Sequence, residues 1–417
     1  MKITNLRARQ ILDSRGVPTI ETEVTLEGGV IGRSAVPGGT SSGEHEAVEL
    51  RDGGVAYGGK GVSKAVEIIN TTLLDELKNH DFDQISLDKK LNQLDGNDNK
   101  SQLGANTILS ISLAFAWAAS RTGFKPLYEY FGQLYENERF TLPRPMFNIM
   151  NGGSHGNWAT DIQEFMAIPL KPISWAEKLK IGVEVFHQLE TLLKGKGYNI
   201  NVGKEGGFAP QLGSNQEALD LVCQAITSAG YQLGSDVGLG LDVAASEFFD
   251  KETKQYELKK DGRSLSTAEM IAWLMELTDR YPIVSIEDGL AEDDWAGWQL
   301  LTNRLGTNLQ IVGDDLLTTN PDRIKQAIDQ QACNALLVKP NQIGTLSETL
   351  SAMKLSQQAG WQNVVSHRSG ETEDVTIAHL AVGTGAGQIK TGAPNRGERI
   401  AKYNELTRIA ERVEPTI

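Results

Sequence analysis

Six short apolar runs in the second part of the chain each end on a polar, mostly ionisable residue. The runs are VGLGLD, IVSIE, LQIVGD, ALLVK, NVVSH and GQIK, and they close on Asp242, Glu287, Asp314, Lys339, His367 and Lys390. After the first interval these ends recur every 23 to 28 residues. That spacing fits one strand, one amphipathic helix and two loops, so the segment reads as repeated β–α units. Their number favours a parallel sheet, most simply a closed (β/α)8-type barrel. Two more apolar segments, RPMFNIMN and DIQEFMAIP, supply the missing strands. Only GGSHGNWAT joins them, too short for a helix, so the barrel is expected to open with an irregular hairpin.

The front of the chain has another rhythm. Ile3–Arg9, Thr19–Leu26 and Gly32–Val36 read as strands, and helical patterns follow around Lys64–Lys78, Ile85–Leu94 and Gly104–Arg121. Strands first and helices afterwards suggest a small α+β domain. The expected division is an α+β cap over residues 1–139 and an α/β barrel over 140–417. A chain of 417 residues exceeds one compact core. Its formal net charge of −14 argues against nucleic acid or an anionic membrane as a partner, but leaves room for a small anion where cations gather locally. Two cysteines, Cys223 and Cys333, form no metal or disulfide framework. The N-terminus lacks a signal-peptide apolar core, and Ile108–Ser120 is too short and Ser-interrupted to span a bilayer. The expected compartment is the cytoplasm.

In a parallel barrel the strand C-termini meet at one mouth, so the six terminal residues should face one cavity. Asp242, Glu287 and Asp314 there would repel one another unless they share protons or a cation. An all-oxygen donor set suits a hard divalent ion, with Mg²⁺ first. The loop acids Asp288, Glu292, Asp293, Asp294 and Asp315 read as solvated or structural. Lys339 and Lys390 would face each other across the mouth. Burial, a metal and a like charge all push a lysine down towards the working pH, where it acts as a base. One of the pair then serves as base, and the other stays charged and binds an anionic group. A metal beside a lysine base suits abstraction of a weakly acidic C–H next to a carboxylate.

The stretches ILDSRGVPTIE, LGANTILSIS, NVGKEGGFAP, LDVAASEFF, SIEDGL, VGDDL, NQIGTLSET, SHRSGETED and QIKTGAP together resemble the enolase family, the phosphopyruvate hydratases, in their bacterial type. The likeness runs in order from about residue 3 to residue 409. It implies an α+β cap on an atypical barrel and the reversible dehydration of 2-phospho-D-glycerate to phosphoenolpyruvate. It further implies that Asp242, Glu287 and Asp314 bind a tightly held Mg²⁺, and that Ser41 from a cap loop helps bind a second that arrives with substrate. Lys339 would take the C2 proton. Glu205, supported by Glu164, would help the C3 hydroxyl leave. Arg368 and Ser369 would grip the phosphate, and Lys390 the carboxylate. Gln163 and His155 would line the pocket, with His367 beside the phosphate and the acid side. A homodimer or an octamer is implied. The competing readings are a relative with altered α-proton chemistry and a non-catalytic scaffold.

Three positions depart from the family pattern. Gly38–Gly43 reads GGTSSG for the usual SGASTG. Lys204 stands where the acid's neighbour is usually Asp, and a cation there is expected to lower the Glu205 pKa. GNWAT follows His155. Two motifs are set aside. GGSHG, which matches the G-x-S-x-G of serine hydrolases, is followed by a second strand pattern, so Ser154 is not read as a nucleophile. Gly54–Lys60, GVAYGGK, nearly matches a P-loop, but Gly61 stands where Ser or Thr is needed. His45, His80, His187 and His379 read as structural.

Overall fold

The computed structural model describes residues 1–39 and 43–414. The chain opens with β1 (Ile3–Leu12), β2 (Pro18–Leu26) and β3 (Ile31–Ala35), an antiparallel sheet in that order. Alternation in β2 buries Ile20, Thr22, Val24 and Leu26 while Glu21 and Glu23 lean outward. The outer edge of β1 is partly covered by the helical stretch over 63–77. Asn70, in its π-helical middle turn Ile69–Leu73, accepts the Ala8 N–H at 2.7 Å and donates to the Ala8 carbonyl at 3.0 Å.

The helix Ala105–Thr122 joins the two parts of the molecule. Every residue from Ala105 to Ser120 except Trp117 is buried. Ile108, Ile111, Ala114 and Phe115 pack into the cap core, and Leu109, Leu113 and Ala116 into the barrel's core. A helix apolar all round is therefore wrapped in protein. No helix of the described residues is long and apolar enough to cross a membrane. On the cap side β3 lies almost on the helix backbone. A Cβ at Gly32 would stand 2.1 Å from the Ala114 carbonyl oxygen and 2.2 Å from the Ala118 nitrogen.

The second part begins with β4 (Arg144–Asn151), β5 (Glu164–Pro169) and β6 (Val237–Asp242). A small antiparallel sheet follows, made of β7 (Phe249–Asp250), β8 (Gln255–Leu258) and β9 (Arg263–Leu265). Then come β10 (Ile283–Glu287), β11 (Gln310–Gly313), β12 (Ala335–Val338), β13 (Gln362–Ser366) and β14 (Gly387–Lys390), each reached through helix. Eight strands close a barrel in the order β4-β5-β6-β10-β11-β12-β13-β14, with β14 back on β4. β5 runs antiparallel to both its neighbours, which is the expected irregular opening. The sheet of β7–β9 was not legible in the sequence, and it accounts for the long first interval between Asp242 and Glu287. Met146, Met166, Ile168, Val312, Ala335, Leu337 and Val364 form a core cluster contributed by the barrel strands.

Asp88, buried in the helix Gln84–Asp95, ties the cap to the barrel. Its Oδ2 accepts the N–H of Ser347 at 2.9 Å and the Ser347 hydroxyl at 2.6 Å. Burial pushes this carboxyl up to about 6, against the hydrogen bonds that favour the anion. The folded chain thus holds the proton more tightly than the unfolded one. That stabilisation is complete below about pH 4 and is lost as pH rises through about 6. Urea unfolding of wild type and Asp88→Asn at pH 4.5 and 7.5 is expected to show wild type gaining about 2 kcal/mol on the variant at acid pH. Gly32→Ala is expected to cost about 3 kcal/mol or more by forcing β3 off its helix, measurable as a fall in urea midpoint.

Candidate active site

Five of the six strand-end residues, Asp242, Asp314, Lys339, His367 and Lys390, line one cavity at the barrel mouth. Glu287 is fully buried and reaches the same place through Lys390. The lysine of ALLVK lies one residue past its strand: β12 ends at Val338, and extended Lys339 precedes the short helix Pro340–Ile343.

Lys390 stands among carboxylates. Its Nζ lies 3.0 Å from Asp242 Oδ2, 2.8 and 2.9 Å from the two Glu287 oxygens and 3.2 Å from Glu164 Oε2. Burial disfavours its charge, but Asp242, Glu164 and Glu287 together hold it well above the ordinary lysine range. Lys339 pairs with Asp314 Oδ2, whose other oxygen accepts Gln342 Nε2 at 2.9 Å. The downward push expected of Lys339 included a metal at these carboxylates; with Asp314 paired to the lysine itself, the direction is the opposite. Burial does press downward, but the contact with Asp314 outweighs it and the ammonium is raised.

The residues fit a divalent cation. Asp242 and Glu287 are direct partners in the parallel register of β6 and β10, and Asp314 follows the adjacent β11. Burial, then Asp242, pushes the Glu287 carboxyl well above its usual range, so negative charge is in excess of what the two lysines offset. Three buried oxygen donors in that condition suit a hard ion. Lys390 and Lys339 now hold these carboxylates. Among the described residues the donor groups within 4.8 Å of one another are His155–Glu164–Glu205 and Asp288–Asp314–Asp315. Asp288 is buried and structural: its two oxygens accept the N–H groups of Asp314 and Asp315, each at 2.9 Å, and fix the turn after β11.

The opposite side carries a second charged cluster. Glu205 Oε2 accepts Asn148 Nδ2 at 2.9 Å and faces His367 Nε2 at 3.3 Å. His155 Nδ1 lies 3.4 Å from both Glu205 and Glu164. Burial opposes ionisation of Glu205, but His155 and then His367 pull its carboxyl well below the usual range. These histidines, more than Lys204, hold Glu205 ionised, which corrects the expected cause. Glu164 goes the other way, to about 8, through burial and the Glu205 charge. His155 rises to about 9 because the two glutamates outweigh burial, and burial pushes His367 down to about 4.

Arg368 and Ser369 follow β13 and line the same cavity. Arg368 reaches Glu46 of the cap with both terminal nitrogens, at 2.9 and 3.2 Å. Gln163 donates to Asp242 Oδ2 at 3.4 Å and accepts the Ser154 hydroxyl at 2.9 Å, so Ser154 orients a pocket residue. Ser41 lies outside the described residues. His45 pairs at the surface with Asp293, His187 approaches Glu190 at 3.7 Å, and His379 stands 3.1 Å from Glu405 beside Trp117, all away from the cavity lining.

Sequence reasoning missed the residues that hold this constellation. Fully buried Arg399 donates to the carbonyls of Arg368 at 2.6 Å, Ser369 at 2.7 Å and Lys204 at 3.2 Å, and its Nη1 lies 2.7 Å from His367 Nδ1. Three residues on, Lys402 binds Glu371 Oε2 at 2.7 Å and the Thr372 carbonyl at 2.6 Å. Two cations at i and i+3 in the helix Gly397–Val413 were the available signal. Because Arg399 can only donate, His367 Nδ1 must accept, and the neutral ring carries its proton on Nε2, towards Glu205. Arg399→Lys keeps the charge and loses the fork. It is expected to shift His367 towards a tautomer mixture in imidazole ¹⁵N spectra. Unchanged shifts would remove Arg399 from this positioning role.

Residues 3–131 match the family model described as the enolase N-terminal domain, and residues 139–416 match the one described as the enolase C-terminal TIM barrel domain. Together they span nearly the whole chain, and it therefore belongs to the enolase family, whose domains imply a metal-dependent lyase.

Proposed function

We propose that the protein is a phosphopyruvate hydratase, which converts 2-phospho-D-glycerate to phosphoenolpyruvate and water, and the reverse, with two Mg²⁺ per site. The observation that carries this reading is one cavity lined by a lysine at one strand end, a glutamate pair with a shared histidine, and an adjacent Arg–Ser step. Those are the groups needed for removing a proton, expelling a hydroxyl and holding a phosphate. Asp242, Glu287 and Asp314 would hold the resident ion, which when bound supplies positive charge against the negative charge building on the substrate carboxylate.

Lys339 is the base for the C2 proton: paired with Asp314 it is held as the ammonium, and it would lose that hold and become able to accept a proton once an ion takes the Asp314 carboxylate. Lys390 remains charged and holds the substrate carboxylate. The C3 hydroxyl leaves as water only if a proton meets it, because hydroxide is a poor leaving group. The Glu164–Glu205 pair supplies that proton. In the ligand-free protein the proton rests on Glu164, and His155 links the two carboxyls. The Arg368 guanidinium offers a planar fork to phosphate oxygens once it shares or leaves Glu46. Asn148 fixes the Glu205 carboxylate, and His367 faces it from the phosphate side.

Exchange of the C2 proton with deuterated solvent separates the two half-reactions. Lys339→Ala is expected to abolish both exchange and Mg²⁺-dependent formation of phosphoenolpyruvate, by about 10³-fold or more. Glu205→Gln is expected to retain exchange and lose dehydration. Normal turnover in Lys339→Ala would overturn the base assignment. Failure of the wild type to form product from 2-phosphoglycerate with Mg²⁺ would overturn the function.

A further inference from the structure

We propose that a cleft between cap and barrel, beside the catalytic cavity, is a second anion site that takes a small phosphate-bearing molecule. The cleft is a cavity of about 560 Å³, within the range that holds small ligands. Arg15, Arg51, Lys60, Lys204 and Arg396 line it, and Glu49 is the one acidic residue among the described lining. Two of the five cations are compensated. Arg15 makes a two-point contact with Asp13, at 3.0 and 2.6 Å, and Arg51 does the same with Glu49, at 3.1 and 2.6 Å. Lys60, Lys204 and Arg396 form no ion pair among the described residues.

Three such cations around one cavity run against a chain whose net charge is −14. Mutual repulsion opposes the arrangement, as does the partial burial of Lys204 and Arg396, and a bound anion would relieve it. Burial first, then Arg15, presses the Lys204 ammonium down, which shows how closely the charges are felt. The Nε of Arg396 is buried and has no hydrogen-bond partner among the described residues. Arg396 also takes φ 65 and ψ 137, a backbone conformation that costs a non-glycine residue about 1–3 kcal/mol and is kept where the surroundings require it.

Lys204 departs from the residue usual at its place, and Lys60 closes the glycine-rich GVAYGGK turn that the catalytic reading leaves unused. The phosphate group is the shared chemistry, since clustered Arg and Lys donors match its oxygens. The molecule could be the substrate waiting to enter, because Gly39 lines both this cleft and the catalytic cavity. It could equally be free phosphate. The site itself rests on its cations, and only its link to the substrate rests on the function proposed above.

Labelling with pyridoxal 5′-phosphate and borohydride, read by peptide mass mapping of the full chain, tests the site directly. Lys204 is expected to be modified at least tenfold faster than exposed Lys180, to be protected by inorganic phosphate, and to react slowly with pyridoxal, which lacks the phosphate. Arg396→Gln and Lys60→Gln are each expected to slow the labelling severalfold. Labelling of Lys204 at the Lys180 rate, indifferent to inorganic phosphate in the wild type, would overturn the proposal whatever the variants do. With Lys204 protected, a severalfold fall in kcat/KM of Lys60→Gln at low salt identifies the substrate as the occupant. An unchanged kcat/KM identifies free phosphate. Neither result depends on which residue is the catalytic base, so the two proposals fail separately.

Discussion

Lys390 is the charge on which the barrel mouth depends. Parallel strands deliver Asp242 and Glu287 to adjacent positions, and antiparallel β5 adds Glu164 at the same level. Lys390 offsets only part of the repulsion among these buried carboxyls: Glu164 and Glu287 are still pushed up by burial and by neighbouring negative charge. One ammonium within 3.2 Å of all three lets the strands end together. The dependence is mutual, because a lysine this deeply buried holds its charge only through them. Removing one member of such a group leaves a buried charge uncompensated, which costs about 3–5 kcal/mol. The mouth is thus costly to assemble and specific once assembled, as sites built for chemistry tend to be.

The loop after β13 shows how the rest of the molecule is arranged around that mouth. From the barrel exterior, Arg399 and Lys402 take its carbonyls and Glu371. From the cap, Glu46 takes Arg368, Gly38 bridges Gly370, and Ser14 donates its N–H to the Glu371 carbonyl at 2.8 Å. A Cβ at Gly370 would lie 2.3 Å from the Arg15 guanidinium carbon, so a larger residue there would push that side chain aside. The loop carries Arg368 and Ser369, so their placement is set from both sides, by the helix Gly397–Val413 and by cap residues hundreds of positions away. The helix Ala105–Thr122 makes this possible by sharing its apolar surface between cap and barrel, which leaves the two little freedom to slide.

The barrel was legible because two signals coincide: apolar runs at the spacing of β–α units, and a polar residue closing each run. The irregular hairpin was legible from a linker too short for a helix. The sheet of β7–β9 was not, because strands of two to four residues carry too little alternation to stand out from a loop. Within the site, the sequence exposes residues at strand ends and hides those that act through space. Arg399 reads as one charge among many on an amphipathic helix, and only tertiary structure turns it inward. Asp288 reads as a loop acid, yet it is buried against the Asp314 turn. The pairing that raises the Lys339 ammonium was hidden for the same reason. Burial is visible in an apolar run, whereas its carboxylate partner comes from the neighbouring strand end.

Chemically identical groups are sorted here by their neighbours. Glu164 and Glu205 flank one histidine, but Glu205 also faces His367 and accepts Asn148, while Glu164 shares its ammonium with two other carboxylates. The first environment favours the anion and the second favours the acid. The histidines divide likewise: His155 between two carboxyls is held protonated, and His367 against the Arg399 guanidinium is held neutral. Groups whose environments drive their proton affinities apart can hold a donor and an acceptor side by side at one pH. Two supporting contacts on the Glu205 side, Asn148 to its carboxylate and Arg399 to His367, come from β4 and from the helix that follows β14, and β14 pairs with β4 where the barrel closes. The closure that makes the barrel a barrel therefore also brings together contacts that hold Glu205 and His367 in place.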